Sequence, residues 1–255
     1  MINLINDQTK KNIMYASVGA VTAEITCIPI CTVLTNYQTK ILPQSILSYV
    51  KDIYKSDGLR GFYNSTWAGS CSQISSLAIK YTVYERIKIY RDKHNIASDN
   101  FATNLGSSII GSWCASPFHH PFDVIKTHTQ RGEKIREIVK EKGIFKTFSN
   151  AYSKTLIRNT ATSIIFPLYD MYKRLLQGQN NNLVLIASPM LTSTTSTMLL
   201  YPLMYARNRQ IAGEVWWHGF KNINMMYRGL SLGIFRNVSH FTVFCCVLES
   251  IKKRN

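Results

Sequence analysis

The feature that most constrains this chain is a signature that occurs three times with constant internal spacing. A glycine or asparagine is followed five residues later by an aromatic residue, in the stretches 58–63, 143–148 and 222–227. Twenty-one residues after each aromatic, at positions 84, 169 and 248, begins a second signature, whose next residue is an acid that is followed three residues later by a lysine. Its three copies are Glu85 with Lys88, Asp170 with Lys173, and Glu249 with Lys252. Three equal offsets indicate an internal repeat.

Each copy of the repeat also contains an apolar run that ends near a proline, at Pro29, Pro121 and Pro202. We expect each of these prolines to kink its helix. After Pro121, Asp123 and Lys126 lie one helical turn apart on the same face. A polar stripe of this kind on an apolar helix faces a bundle interior or a water-filled cavity when the helix lies in a membrane. One copy would equally suit a capped, kinked helix of a soluble protein, but the repetition favours the membrane.

Six stretches are candidates to cross a hydrocarbon layer of ~30 Å, which needs ~20 helical residues. They are 13–36, 66–90, 102–127, 152–176, 183–208 and 230–251. We therefore predict an all-α membrane protein of three helix–loop–helix repeats, covering 1–95, 96–180 and 181–255. Because each stretch contains charged residues, hydropathy alone leaves a soluble all-helical protein open.

The net charge of the chain indicates which classes of molecule it can bind. There are 30 Lys and Arg residues against 14 Asp and Glu, a formal charge of +16. This excess suits nucleic acid, anionic lipid or anionic solutes. The chain has no zinc-finger spacing, RNP-like aromatic motif or basic heptad helix, so we expect no nucleic-acid partner. Its six cysteines form no CxxC motif, which predicts buried, reduced thiols and no metal site. With no nucleophile–base pair, an enzyme is the weakest interpretation.

These motifs resemble those of the mitochondrial carrier family over nearly the whole chain. In that family a proline-x-acid-x-x-base motif ends each odd helix, acid–glycine and aromatic–base–glycine motifs follow, and aromatic–acid-x-x-base ends each even helix. The resemblance implies six transmembrane helices in a barrel with short matrix-side helices. It also implies alternating access, exchange of solutes, a monomer, and the mitochondrial inner membrane, with another organelle membrane as the alternative.

The resemblance implies a matrix gate in which an acid of one repeat pairs with a base of the next. Asp123 would pair with Arg207. Lys126 would meet Cys31 where the family has an acid, and would therefore lack a partner. The third position holds two apolar residues, Met204 and Leu34. The residues assigned to this gate are Asp123, Lys126 and Arg207, with the bracing glutamines Gln38 and Gln130 and with Ile211 in the third brace position.

The cytoplasmic gate implied by the resemblance is complete. Its pairs are Glu85–Lys173, Asp170–Lys252 and Glu249–Lys88, with bracing tyrosines Tyr84 and Tyr169. Partly exposed ion pairs each contribute about 1 kcal/mol or less. Three pairs against one would then favour a resting state sealed on the cytoplasmic side by roughly 1–2 kcal/mol.

Several polar residues are expected at mid-depth in the cavity. The residues assigned to the solute site are Glu24, Gln73, Lys80, Ile157, Arg158 and Arg236. Three bases and one acid favour an anion, either phosphate-bearing (a nucleotide included) or a carboxylate. The alternatives are that Lys80 extends to the membrane interface and that Arg158 or Arg236 belongs to a structural ion pair. For His119 and His120 the choice is between a polar lining and a proton-coupling role.

The aromatic–base–glycine motif is whole only at Tyr227, Arg228 and Gly229. In the family this motif helps to hold cardiolipin, which is the lipid partner we expect, and we expect no cofactor. Two functions stay open. One is transport of an anionic metabolite, which the cytoplasmic gate and the cavity bases favour. The other is a transport-inactive, carrier-like receptor or scaffold, which the weakened matrix gate favours.

Overall fold

The computed structural model describes residues 7–39, 45–94, 101–178, 181–215 and 223–254. Their regular secondary structure is entirely helical, which confirms the all-α prediction. The helices are α1 (Asp7–Thr39), α2 (Ile46–Tyr63), α3 (Thr66–Lys93), α4 (Phe101–Gln130), α5 (Ile135–Lys142), α6 (Ile144–Ser149), α7 (Tyr152–Thr162), α8 (Ile165–Leu175), α9 (Asn181–Ile211), α10 (Ile223–Met226) and α11 (Leu230–Arg254). Each of the six predicted stretches is helical, the fourth as the two helices α7 and α8.

The three repeat prolines lie inside long helices. Pro29 is within α1, Pro121 within α4 and Pro202 within α9, and each helix continues beyond its proline. A proline removes one backbone hydrogen bond and is tolerated where neighbouring groups satisfy the freed carbonyl. The predicted kinks themselves stay predictions.

Two described stretches, Ile13–Thr39 and Asn224–Val247, have the length and hydropathy of a membrane span. The other long helices, α3, α4 and α9, each contain six or seven Ser and Thr residues, which hydropathy counts as polar. Within the helices these hydroxyls donate to the carbonyl four residues earlier, as Thr192 does to Ser188 at 2.7 Å. A hydroxyl satisfied in this way costs much less to bury than a free one. Hydropathy therefore understates how apolar such helices are.

The break between α7 and α8 follows from Pro167. A proline has no backbone N–H to donate to the carbonyl four residues earlier, which here belongs to Ser163, the residue after the last residue of α7. The Ser163 hydroxyl donates to the carbonyl of Asn159 at 3.0 Å. The fourth predicted stretch is thus two helices of 11 residues each.

Two matching turns end α4 and α9. Gly132 and Gly213 both have φ 79°, a left-handed conformation that favours glycine. The residue after each glycine donates its backbone N–H to the carbonyl five residues earlier. The Glu133 N–H donates to the His128 carbonyl at 3.0 Å, and the Glu214 N–H donates to the Arg209 carbonyl at 2.9 Å. This is the Schellman arrangement. It places Glu133 and Glu214 beside the ends of the two helices.

Helices α1, α4 and α9 carry most of the buried side chains and contact one another. Around them, α3 packs on α1 and α4, α7 on α4 and α9, α8 on α9, and α11 on α1 and α9. Close approach depends on small residues. A Cβ on Gly111 of α4 would lie 3.1 Å from the Lys80 carbonyl oxygen of α3.

Cys27 and Cys31 are buried as predicted, but Cys114 and Cys246 are exposed, which corrects that expectation for those two thiols.

Candidate functional site

The centre of the site is the carboxylate of Asp123 on α4. The Arg207 guanidinium of α9 forms an ion pair with its Oδ2, so the pair predicted from the motif spacing is present. Ser72 of α3 donates to Oδ1 at 2.5 Å. His119, one turn earlier on α4, lies with Nδ1 3.4 Å from Oδ2. One carboxylate therefore joins three helices.

A series of hydrogen bonds through Thr155 and His120 holds the Arg207 guanidinium in place. Its Nε donates to Thr155 Oγ1 of α7 at 2.9 Å. Thr155 Oγ1 lies 3.0 Å from His120 Nδ1, and His120 Nε2 lies 3.1 Å from the Asn150 carbonyl. Since a carbonyl only accepts, Nε2 carries a proton, and Thr155 can donate to Nδ1 while it accepts from Arg207. Every member of the chain is satisfied with His120 neutral, so we assign it a structural role.

His119 is held in a similar way. The Asn159 Nδ2 of α7, which is fully buried, donates to Ser116 Oγ at 2.8 Å and lies 3.1 Å from His119 Nε2. An amide nitrogen only donates, so Nε2 accepts and Nδ1 points its proton at Asp123. Of the two alternatives for this histidine, the contacts favour a polar lining that orients the carboxylate.

The expectation that Lys126 lacks a partner is wrong. Its Nζ forms an ion pair with Glu24 Oε1 on α1. Glu24 lies seven residues before Cys31, two turns along the same face of the helix. The Lys126 side chain is 15% exposed and that of Glu24 is 0% exposed. A long lysine side chain thus finds an acid that lies outside the motif position.

Glu24 of α1 lies close to polar groups from three other helices. In addition to Lys126, its Oε2 lies 3.3 Å from Gln73 Nε2 of α3, 3.4 Å from Arg236 of α11 and 3.5 Å from His240 Nε2 of α11. Arg236 also donates to Cys31 Sγ at 3.1 Å. The residues Glu24, Gln73 and Arg236 therefore do come together, as an internal network. The ion-pair alternative for Arg236 is the one that the structure shows.

The count of matrix-side pairs made from the motif is consequently too low. Asp123–Arg207 and Lys126–Glu24 both connect different helices, and Arg236–Glu24 adds an interhelical pair that involves a residue predicted for the solute site. The expected preference for a state sealed on the cytoplasmic side depended on one matrix pair against three. Because the matrix side has more than one pair, the number of ion pairs no longer supports a resting state sealed on the cytoplasmic side.

The two predicted glutamine braces contact neighbouring helices. Gln38 of α1 donates through Nε2 to the Tyr201 hydroxyl at 2.8 Å and accepts from Asn208 Nδ2 at 2.8 Å, both on α9. Gln130 of α4 accepts from Thr35 Oγ1 at 2.7 Å. These contacts join the end of α1 to the ends of α4 and α9. In the third position Ile211 packs instead in an apolar cluster with Val124, Ala151 and Phe148.

A second group of charges lies at the ends of α4 and α9, beyond the motif residues. Arg131 lies 2.7 Å from Glu133 and 3.7 Å from Glu214, and Arg209 lies 3.7 Å from Glu214. His128 Nδ1 lies 2.6 Å from the second Glu133 oxygen. Sequence reasoning missed this group, although the two matching Gly–Glu turns were a signal for it.

Glu133 gives this end of the molecule a defined response to acid. Burial alone would raise the pKa of its carboxyl, but the hydrogen bond with His128 and the charge of Arg131 lower the pKa below its ordinary value of 4.5. Its contribution to the free energy of unfolding is therefore complete above that value and is lost as the pH falls below it. We expect Glu133→Gln to make thermal stability less sensitive to pH between about 6 and 3.

The matched control is Glu137→Gln, which removes a carboxylate that is 71% exposed and pairs only at the surface with Lys134. It should leave the pH dependence of the wild type unchanged. Thermal unfolding of the purified protein over this pH range measures both. Equal slopes for wild type and Glu133→Gln would show that the contacts of Glu133 contribute nothing.

Three predicted cavity residues lie apart from the Glu24 network. Arg158 of α7 donates through Nε and Nη2 to Asn159 Oδ1 at 3.2 and 2.8 Å. Lys80 of α3 lies within electrostatic range of Arg158 and Asp123, and no contact with an acceptor is formed within the described part of the chain. Ile157 is 51% exposed. Arg158 and Lys80 thus form a pair of bases beside the Asp123 centre.

Gly69 of α3 makes room for Glu24. A Cβ built there would lie 2.7 Å from Glu24 Oε1. We expect Gly69→Ala to destabilise the protein by about 1–3 kcal/mol, because the carboxylate must leave its partners. Gly106→Ala in α4 is the control, since its Cβ meets nothing within 4 Å, and it should be neutral or stabilising. Thermal unfolding distinguishes the two, and equal stability of both variants would contradict the packing described.

The predicted cytoplasmic gate lies largely outside the described side chains. Those of Glu85, Lys88, Asp170, Glu249 and Lys252 are not among them, so the gate stays a prediction. Three of its members have described side chains. The Tyr84 hydroxyl donates to Asn104 at 3.5 Å, and the Tyr169 ring lies edge-on to Phe241. Lys173 is exposed.

Sequence reasoning missed three residues at the centre of the site, Thr155, Asn159 and His240. His240 lies one turn after Arg236 on α11, so it shares a face with a residue that was predicted. Asn159 lies next to Arg158, and Thr155 one turn before it. A search of the faces around the predicted bases would have found all three.

The chain is similar to known carriers. The family model described as mitochondrial carrier protein matches residues 6–95 and 97–180. Mitochondrial carrier-like protein L276 of Acanthamoeba polyphaga mimivirus is 29% identical over 246 residues, 95% of this chain and 96% of the relative. Solute carrier family 25 member 36 of Gallus gallus is 26% identical over 202 residues, 69% of this chain and 64% of the relative. Nicotinamide adenine dinucleotide transporter 1, chloroplastic, of Arabidopsis thaliana is 28% identical over 189 residues, 65% and 59% of the two chains. The chain thus spans less than two thirds of the last two relatives.

Proposed function

Because the chain belongs to the mitochondrial carrier protein family, we propose that it exchanges an anionic metabolite across a membrane by alternating access. The observation that carries this proposal is the pair of bases Arg158 and Lys80. Among the described residues, the Arg158 guanidinium donates hydrogen bonds only to the amide oxygen of its neighbour Asn159. A guanidinium with free donors can hold a phosphate or carboxylate with two hydrogen bonds, and Lys80 adds a second charge.

The proposal includes six transmembrane helices in three repeats, over 1–95, 96–180 and 181–255, in a monomer. It is supported by the helices found in each of the six predicted stretches and by the family match. We place the protein in the mitochondrial inner membrane. A chloroplast relative keeps another organelle membrane as the alternative.

In the proposed cycle the matrix gate consists of Asp123, Arg207 and Lys126, with Gln38 and Gln130 as braces. It opens when the solute is bound, while the cytoplasmic pairs close the other end. Both networks must be weak enough to exchange, since a state held much more strongly than the other would trap the carrier. Contacts among α1, α4 and α9 support closure at the matrix end in this structure.

A nucleotide or other phosphate-bearing anion is the proposed solute, and a carboxylate is the second candidate. The charge of the two bases supports both. A relative named as a nicotinamide adenine dinucleotide transporter adds support for the first.

We place cardiolipin at the start of α11, where Tyr227, Arg228 and Gly229 precede its first residue. Free N–H groups at a helix start favour a phosphate. The Arg228 guanidinium lies 4.4 Å above the Tyr37 ring of α1 and adds a positive charge near this helix start.

A thermal-stability screen of the purified protein tests the proposal. NAD+, ADP, inorganic phosphate, 2-oxoglutarate and an uncharged amino acid are the compounds to compare. We expect one phosphate-bearing anion to raise the unfolding temperature more than the others, because a ligand bound only to the folded state stabilises it. No shift with any compound, together with no uptake into proteoliposomes, would favour the receptor or scaffold.

A further inference from the structure

We propose, building on the transport function proposed above, that Glu24 is the matrix-gate acid of the first repeat, moved from position 31 to position 24. Cys31 occupies the place where an acid would face Lys126. Lys126 pairs with Glu24 instead, seven residues or about 10 Å further along α1 at ~1.5 Å per residue. The guanidinium of Arg236 lies 3.1 Å from Cys31 Sγ and 3.4 Å from Glu24 Oε2, so both positions adjoin the same group.

The burial of the pair shows why the acid is needed. Glu24 is 0% exposed and Lys126 15% exposed. A lysine buried to this extent needs an opposite charge, because an unpaired buried charge is strongly unfavourable. With a thiol at position 31, Glu24 is the acid that meets this need within the described part of the chain.

At position 24 the acid contacts residues of both the matrix gate and the predicted solute site. Its second oxygen contacts Arg236 and His240 of α11 and Gln73 of α3. One carboxylate thus pairs with a base of the gate and with a base predicted for the solute site. An anion entering the cavity would compete with Glu24 for Arg236 and Lys126. Binding of the solute would in this way loosen the contact between α1 and α4.

Moving the acid back tests the proposal without any solute. Glu24→Gln should lower the unfolding temperature of the purified protein by about 5–10 °C, since it leaves Lys126 without an opposite charge. Adding Cys31→Asp should restore at least half of that loss, because an aspartate at 31 can pair with Lys126. The double variant Glu24→Gln/Lys126→Gln should lose less than the sum of its single variants. Glu141→Gln, an exposed acid of α5, is the control.

No recovery with Cys31→Asp, or simple additivity of Glu24→Gln and Lys126→Gln, would overturn the proposal. If Glu24→Gln yields no folded protein, the yield of the Glu24→Gln/Cys31→Asp variant decides in the same way. Folded protein supports the transfer of the acid, and its absence contradicts it.

Transport kinetics separate competition with the solute from a purely structural role. In proteoliposomes with the most stabilising anion of the screen, Glu24→Gln should lower KM about 3- to 10-fold and also lower the maximal rate, because a competitor for Arg236 is lost and the gate is weakened. An unchanged or higher KM would show that Glu24 does not compete. If the wild type transports no anion, the function proposed above fails, while the stability measurements still decide whether Glu24 replaces the missing acid.

Discussion

Asp123→Asn should lower the initial rate of anion uptake by about a hundredfold, because loss of one partner of a buried ion pair costs about 3–5 kcal/mol. The Arg207 side chain is 6% exposed and would keep its charge with no carboxylate beside it. Asparagine keeps one acceptor oxygen, so one of the two groups Ser72 and His119 would face an amide NH2 in place of its acceptor. The matrix-closed state would become rare, and a cycle that passes through it would slow in proportion.

Asp52→Asn is the matched control, since it makes the same chemical change at an exposed position of α2. It should transport like the wild type. Cys31→Ala should also lose much less than Asp123→Ala, because Cys31 contributes one weak contact to Arg236. The swap Asp123→Arg/Arg207→Asp should recover part of the rate. Equal rates for Asp123→Asn and Asp52→Asn would show that the gate closes by packing alone.

Arg158→Gln should raise the KM for the transported anion by about 10- to 100-fold, since each hydrogen bond between charged groups contributes about 1.5–3 kcal/mol. The protein should fold normally, because within the described part of the chain the Arg158 side chain hydrogen-bonds only to its neighbour Asn159. Thermal unfolding of the unliganded variant checks folding, and uptake over a range of anion concentrations gives KM.

Arg136→Gln, at an exposed position of α5, controls for the loss of one positive charge. It should leave KM unchanged at physiological ionic strength, where exposed charges are screened. If Arg158→Gln and Arg136→Gln have the same KM, Arg158 does not contact the solute. Lys80 would then be the next base to replace.

The parts of the site that follow the repeat could be predicted from the sequence. Asp123 and Arg207 both occupy intact motif positions, so the resemblance to the carrier family was enough to pair them. The helices followed in the same way, apart from the break before Pro167, whose local signal is clear once helix geometry is considered. In each case the partner is determined by spacing along one helix or by the repeat.

The remaining contacts of the site depend on distances between helices, which the spacing of residues along the sequence does not determine. The motif gives Lys126 a partner position at residue 31 alone. A flexible four-carbon side chain can also reach an acid two helical turns away from that position. The contacts of Arg131 with Glu214 depend on how closely the ends of α4 and α9 approach. Neither approach distance is encoded in a motif.

The measurement that tests the central claim most directly is counterflow exchange. Proteoliposomes containing the purified wild type are loaded with the most stabilising anion of the screen, and uptake of the same labelled anion is followed. We predict that label accumulates only in loaded vesicles and that Asp123→Asn abolishes the accumulation. No accumulation of any anion of the panel by folded wild-type protein would contradict the claim that this chain is a transporter.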